Sequence, residues 1–229
     1  MKCGLNEAFL VGRDADVEPS LLRPVVRGET LTAWRITTGE RILWTHGDDD
    51  RPLARLPDRA RRCLARYYRA LLARSDVRSR IVWWSLFRIE GASSSLPRVV
   101  WADVGRAPRA AFVAAGDPLV ALNSCYVARC ATAADAHALT ALLNSPLAAA
   151  WLSLLAEPAR GGYHRYLGWT MALFPLPRDW ERARVLLAPC TERALQDDVP
   201  SQDELFDVAV RAYRVRRADA APLVAWGSR

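Results

Sequence analysis

The chain has 229 residues, 51% hydrophobic and 25% charged, which excludes a disordered or fibrous protein and suits one globular core with a small appendage. The formal net charge is +7, which favours a polyanionic partner. Of the 32 basic residues only Lys2 is not arginine, a bias that a GC-rich genome produces without any functional demand. Five irregularly spaced cysteines, no Cys-x-x-Cys and three scattered histidines argue against a zinc site and for reduced thiols in a cytoplasmic protein. No apolar leader follows Lys2.

In chain order, the stretch from Lys2 to Val11 predicts a polar, glycine-containing loop running into a short strand over Ala8–Val11. Such a strand would hold Lys2, Asn6 and Glu7 against a ligand. A loop and strand at residue 2 with nothing before them suggest a separated subunit or the C-terminal piece of a longer polypeptide. Trp34–Thr37 and Arg41–Thr45 predict a hairpin around Thr38-Gly39-Glu40. His46-Gly47-Asp48-Asp49-Asp50 reads as a solvated turn rather than a cation site. Pro57–Ala73 is the clearest helix, with Leu64, Tyr67, Tyr68, Leu71 and Leu72 as its apolar stripe. Arg59, Arg61, Arg62, Arg66, Arg69 and Arg74 occupy the other face, which fits a phosphate backbone as well as it fits solvent. Trp83 and Trp84 follow, to pack in the core or to stack on a base.

Gly91–Ser95 reads as a loop; Arg98–Ala102, Ala111–Ala114 and Cys125–Arg129 read as strands. Ala133–Asn144 and Leu147–Leu155 read as helices. Ala138 to Ala156 carries no charge and is nearly long enough to cross a bilayer, but Asn144-Ser145-Pro146 breaks it into two buried helices. Gly161-Gly162 precedes an aromatic-basic run, and Pro175 and Pro177 close the globular part. Trp180–Leu195 and Gln202–Arg216 predict two more helices, the second capped near Ser201. The expectation is an α+β fold: a twisted, mainly antiparallel or mixed sheet flanked by helices, with a C-terminal helical pair. Its division would be a domain over 1–178 and a helical extension over 179–229.

Five motifs in order resemble one family. They are Lys2-Cys3-Gly4-Leu5-Asn6-Glu7-Ala8-Phe9 with Arg23-Pro24-Val25-Val26-Arg27-Gly28; Arg98 to Gly105; Asn123-Ser124-Cys125-Tyr126-Val127; Leu142 to Leu147; and Gly161 to Tyr166 with Phe174-Pro175-Leu176-Pro177. Together they are similar to the C-terminal specificity domain of TaqI-like, N6-adenine-specific DNA methyltransferases, the target-recognition module of many type II restriction-modification and phage-defence enzymes. The connection between Val11 and Leu21 is shorter than the family's. The resemblance implies double-stranded DNA as ligand and a methyltransferase catalytic domain or subunit as partner, which would carry S-adenosylmethionine. Candidate DNA-binding residues are Lys2, Asn6, Arg27, Arg35, Trp83, Arg88, Arg98, Gly161, Gly162, Tyr163 and Arg165. The recognised bases depend on which side chains reach the groove edges, which sequence does not fix.

The catalytic half of such chemistry is missing from the sequence. The family's target-base loop, Asn/Asp-Pro-Pro-aromatic, does not occur, and Gly161-Gly162 is not a strand-to-helix phosphate loop. With Lys2 the only lysine, no nuclease carboxylate-lysine cluster can form, and no Gly-x-Ser-x-Gly is present. The expectation is a chain without catalysis, cofactor or metal of its own. The alternatives are a protein-interaction module or inactive remnant of such a domain, and, further off, a small enzyme of unrelated type.

Overall fold

The computed structural model describes residues 3–12, 14–74 and 82–227. Along the chain run α1 (Asn6–Phe9), β1 (Leu10–Val11), β2 (Leu22–Val26), β3 (Arg41–Leu43), α2 (Asp58–Ala65), α3 (Tyr68–Leu72), β4 (Arg98–Ala102), β5 (Val104–Gly105), β6 (Ala110–Val113), β7 (Val120–Ala121) and β8 (Cys125–Arg129). Then come α4 (Ala133–Leu143), α5 (Pro146–Leu155), β9 (Glu157–Ala159), β10 (Tyr163–Arg165), α6 (Gly168–Ala172), α7 (Trp180–Leu195), α8 (Gln202–Tyr213) and α9 (Arg217–Gly227). The class is α+β, with strands in three small sheets ordered β1-β3-β2-β7, β5-β10-β9 and β6-β4-β8. All pairs are antiparallel except β2–β7. The chain does not divide at residue 178. Two compact units interleave in sequence: Met1–Val26, Thr37–Ser94 and Pro118–Asn123 form one; Arg27–Ile36, Ser95–Asp117 and Ser124–Arg229 form the other.

The first unit buries Phe9, Ile42, Leu43, Trp44, Leu64, Leu71 and Leu122 around its four-stranded sheet. Its start differs from the predicted strand over Ala8–Val11. Gly4, at φ +74°, turns the chain, and Asn6–Phe9 close one helical turn before the two-residue β1. A Cβ on Gly4 would sit 2.9 Å from Arg74 Cδ, so the turn needs glycine. The predicted hairpin is also replaced. Trp34 adopts φ 72° and Ile36 bridges back to Leu31, while β3 pairs with β1 and β2. The helix over Pro57–Ala73 breaks at Tyr67 (φ −100°, ψ 4°). Arg66 Nε donates to the Cys63 carbonyl at 3.1 Å, and Tyr67 N–H turns to Leu64 O at 2.9 Å. A side chain has taken the acceptor that the α-helical ladder would use. Arg74, assigned by sequence to the polar face, is buried and donates to the carbonyls of Leu71, Cys3, Trp83 and Ser85 at 2.7–3.2 Å.

In the second unit β4 is buried along its whole length between β6 and β8. The helix pair α4–α5, broken as predicted at Asn144-Ser145-Pro146, bends by 71°. Asn144 Oδ1 accepts from Ala110 N–H and its Nδ2 donates to Ala110 O, both at 2.9 Å, while Ser145 Oγ caps α5 at Ala148 N–H. Pro146 follows at the first helical position, where its missing N–H costs nothing. Among the described residues no single helix is long and apolar enough to cross a membrane. The C-terminal helices share a core with α4, joining Ala138, Ala141 and Leu142 to Ala183, Leu187, Leu205 and Ala209. Ser201 caps α8 by accepting Glu204 N–H at 3.1 Å, but that helix ends at Tyr213, where Arg214 turns left-handed (φ 57°). The helix α9 runs where the sequence predicts none, since it contains Pro222, a residue that ordinarily breaks a helix.

Candidate nucleic-acid interface

The strongest candidate surface is on the second unit. Two glycines in positive φ, Gly161 (77°) and Gly162 (76°), let the chain reverse between β9 and β10, with Tyr163 opposite Ala159 and Arg165 opposite Glu157. Sequence reasoning weighed a DNA-facing loop against a helix-to-helix turn; the observed element is a β-hairpin. Its base is fixed. Tyr166, 0% exposed, donates its N–H to Asp103 O at 2.7 Å, and its carbonyl accepts from Trp101 Nε1 at 3.0 Å. β10 also pairs with β5, placing His164 opposite Gly105. The projecting part is polar and basic: Arg160, Gly161, Gly162 and Arg165 are exposed, and Tyr163 is 41% exposed. Arg106, exposed beside β5, lies over the Tyr163 ring at 5.6 Å, a cation–π contact that orients both side chains.

Charge at the hairpin's foot is balanced. Burial pushes the Asp103 carboxyl above its usual value and the Glu29 carboxylate adds to this, while the Arg165 guanidinium pulls the other way. Arg27 lies 4.0 Å from Glu29, and Arg109 Nη2 donates to Gly28 O and Val104 O. The Arg27-Gly28 loop, β5 and the hairpin thus meet within one unit. Chemically, such a patch offers guanidinium and backbone N–H donors and one aromatic face, a set suited to phosphate, sugar and base contacts.

The other candidate residues fall elsewhere. Arg98 is 1% exposed and donates to Asp117 O at 2.6 Å. A buried arginine anchored on a carbonyl is a structural group, so the sequence-based assignment of Arg98 to a DNA surface is corrected. Arg35 is exposed and pairs with Asp197. In the first unit Asn6 lines a groove of about 520 Å³ with Cys3, Gly4, Leu5, Glu7, Phe87 and Asn123. Trp83 is half-buried, edge-on to Tyr68 at 5.1 Å and to Trp84 at 5.3 Å; Arg88 is exposed with φ 52°. Lys2 lies outside the described residues. Arg106 was missed from sequence, and its only signal was its place immediately after the Arg98–Gly105 motif.

Among the described residues no three His, Cys, Asp or Glu side chains are grouped to hold a metal. All five cysteines are free thiols, and burial pushes Cys125 up to about 12 and Cys130 up to about 11, which removes their nucleophilic form at neutral pH.

The chain shares its fold with part of a restriction-modification enzyme. The solved structure in question is that of the Type IIL restriction-modification enzyme MmeI in complex with DNA. The match has a TM-score of 0.68 at 12% sequence identity, over 99% of this chain and 35% of that chain. The likeness is one of fold, and this chain spans about a third of that enzyme's length. No protein-family model matches the chain, and no curated protein matches it.

Proposed function

We propose that this chain is the DNA sequence-recognition module, as a domain or a subunit, of a restriction-modification system whose methyltransferase part modifies adenine at N6. The observation that carries the reading is the fold shared over 99% of the chain with part of an enzyme solved on DNA. The ordered motifs resembling TaqI-like specificity domains point the same way, as does the arginine-tyrosine hairpin on a buried mount. In this reading the hairpin and the Arg27-Gly28 loop contact double-stranded DNA in the cytoplasm. The catalytic partner supplies the target-base loop and S-adenosylmethionine, and this chain performs no methyl transfer alone. The test is co-expression of the full chain with an N6-adenine methyltransferase from the same genome, with adenine methylation read genome-wide. Methylation at one recurrent sequence, lost when this chain is omitted, is expected; methylation indifferent to its presence would refute the reading.

A second reading, a protein-interaction module that has lost DNA binding, is favoured by one feature. An apolar groove of about 280 Å³ on the second unit is lined by Leu147, Trp151, Phe174, Pro175, Tyr213 and Leu223. A gel-shift series at low salt separates the two, since the remnant would leave duplex DNA unshifted.

A further inference from the structure

The net charge of this chain is not spread evenly. Between Arg51 and Arg74 the sequence has eight arginines and a single carboxylate, Asp58, a local balance of +7 that equals the balance of the whole chain. The C-terminal helices look as rich in arginine but are internally neutralised. Arg193 pairs with Asp198 and Glu204, Arg214 with Asp179, Arg216 with Asp219, and Arg217 with both Asp203 and Asp207. The densest run of like charge in the sequence therefore lies along α2 and α3 of the first unit.

On α2 it is also organised. Arg59, Arg62 and Arg66 are three and four residues apart, so they share one flank of the helix. They line one side of a basin of about 410 Å³ whose other walls come from Glu7, Leu10, Val11, Asp16 and Tyr67. All three arginines are exposed. Arg59 is engaged with Asp16 at 3.4 Å, whereas Arg62 and Arg66 have no carboxylate partner among the described residues. Arg66 is held in place: Nε donates to Cys63 O at 3.1 Å, Nη2 to Cys63 Sγ at 3.7 Å, and the guanidinium lies 5.6 Å from the Tyr67 ring centre. Two of its five N–H groups are used, three remain, and a fixed guanidinium loses little freedom when an anion arrives. From Arg59 to Arg66 the helix rises about 10.5 Å, close to the axial span of three phosphates of one strand at about 3.4 Å each.

We propose that the Arg62–Arg66 flank of α2 is a phosphodiester-binding face, a nucleic-acid contact separate from the β9–β10 hairpin. It rests on the nucleic-acid reading above. A lipid surface is the other polyanion that such a row could meet. The apolar side of α2 is spent on the core, however, with Ala60 and Leu64 both 0% exposed, leaving little to insert into a bilayer.

The experiment measures binding of the full chain to a labelled duplex of mixed sequence across a salt series, for the wild type and for Arg62→Gln/Arg66→Gln. The expected result is a slope of log affinity against log salt shallower by about 2, and affinity at low salt lower on the order of tenfold, with an unchanged melting curve. Arg62→Lys/Arg66→Lys should keep the slope, since the charge is kept. If the double variant fails to fold, Arg62→Gln alone carries the same test with a slope change of about 1. A wild type that binds DNA while the variant keeps its slope would overturn this inference and leave the recognition reading standing. A wild type that ignores DNA would overturn both. Loss of binding to phosphatidylserine vesicles with an unaltered DNA slope would reassign the face to a membrane surface and overturn it too.

Discussion

Gly28 and Ser124 are in contact through both main chain and side chain. Gly28 N–H donates to Ser124 Oγ at 3.0 Å, and a Cβ on Gly28 would stand 2.9 Å from the Ser124 carbonyl oxygen. A backbone oxygen cannot swing aside as a side chain can, so Gly28→Ala should push the Arg27-Gly28 loop off Ser124, the residue just before β8. Overpacking of this kind costs about 1–3 kcal/mol. In a protein of this length each kcal/mol lowers the melting temperature by about 2–4 °C. Thermal melting of the variant should show that drop; an unchanged midpoint would mean that the loop relaxes freely.

Arg74 is the corresponding fixed point of the first unit. Its guanidinium serves the carbonyls of Leu71, Cys3, Trp83 and Ser85, which ties the N-terminal turn to the segment around Trp83. Arg74→Met keeps much of the volume but leaves several buried carbonyls without donors. At about 1–3 kcal/mol for each buried group left unpaired, the loss should reach about 3 kcal/mol or more, read as a shift in denaturant midpoint. Arg69→Met, at an exposed position one turn earlier, should shift it by less than about 0.5 kcal/mol.

That contrast shows where the sequence was legible and where it was not. Helical and strand patterns located β4, β8, α4, α5 and α7 to within a residue or two, because those elements carry their apolar residues into a core. Asn144-Ser145-Pro146 was readable as a break because proline and a capping serine act locally. Arg74 was not readable: its neighbours Arg66 and Arg69 look the same in sequence and lie in solvent, and only the fold decides which arginine receives four carbonyls. Arg98 failed for the same reason. The break at Tyr67 depends on Arg66 capturing the Cys63 carbonyl, a side-chain choice that no 3.6-residue pattern records. At the candidate interface, Gly161-Gly162 signalled a special turn, but β9 contains Pro158 and is three residues long, too short and too atypical to announce a hairpin.

His46 makes the stability of the first unit depend on pH. It is 5% exposed, and burial pushes its imidazole down to about 4; Asp50 and Asp49 pull upward and Arg23 pushes down. The unfolded chain, with an ordinary histidine near 6.5, binds a proton between about 6.5 and 4 that the folded chain refuses. Stability is therefore full above about 6.5 and falls as the pH drops through that window, by a total on the order of 3 kcal/mol. Denaturant midpoints measured from neutral pH down to about 4 should fall more steeply for the wild type than for His46→Gln. Parallel curves would show that His46 titrates normally.

The hairpin itself is tested at Arg165. Its neighbour in sequence, Tyr166, is a core residue held by Asp103 and Trp101, so changes at 166 report on folding, whereas Arg165 is exposed and its removal leaves that mount intact. Arg165 eases the titration of the Asp103 carboxyl, but Arg165 itself is exposed, so the pair adds little stability. Arg165→Ala should therefore melt within a degree or two of the wild type. If Arg165 meets a phosphate, affinity for duplex DNA should fall by a similar factor on every sequence, and the salt slope should shrink by about 1. Tyr163→Ala gives the complementary result: the aromatic face and its contact with Arg106 are lost without any change of charge. Affinity should then drop, with about 1–3 kcal/mol at stake if a base stacks there, while the salt slope stays as it was. A folded Arg165→Ala variant with an unchanged slope would remove the hairpin from the DNA surface, whatever Tyr163 does.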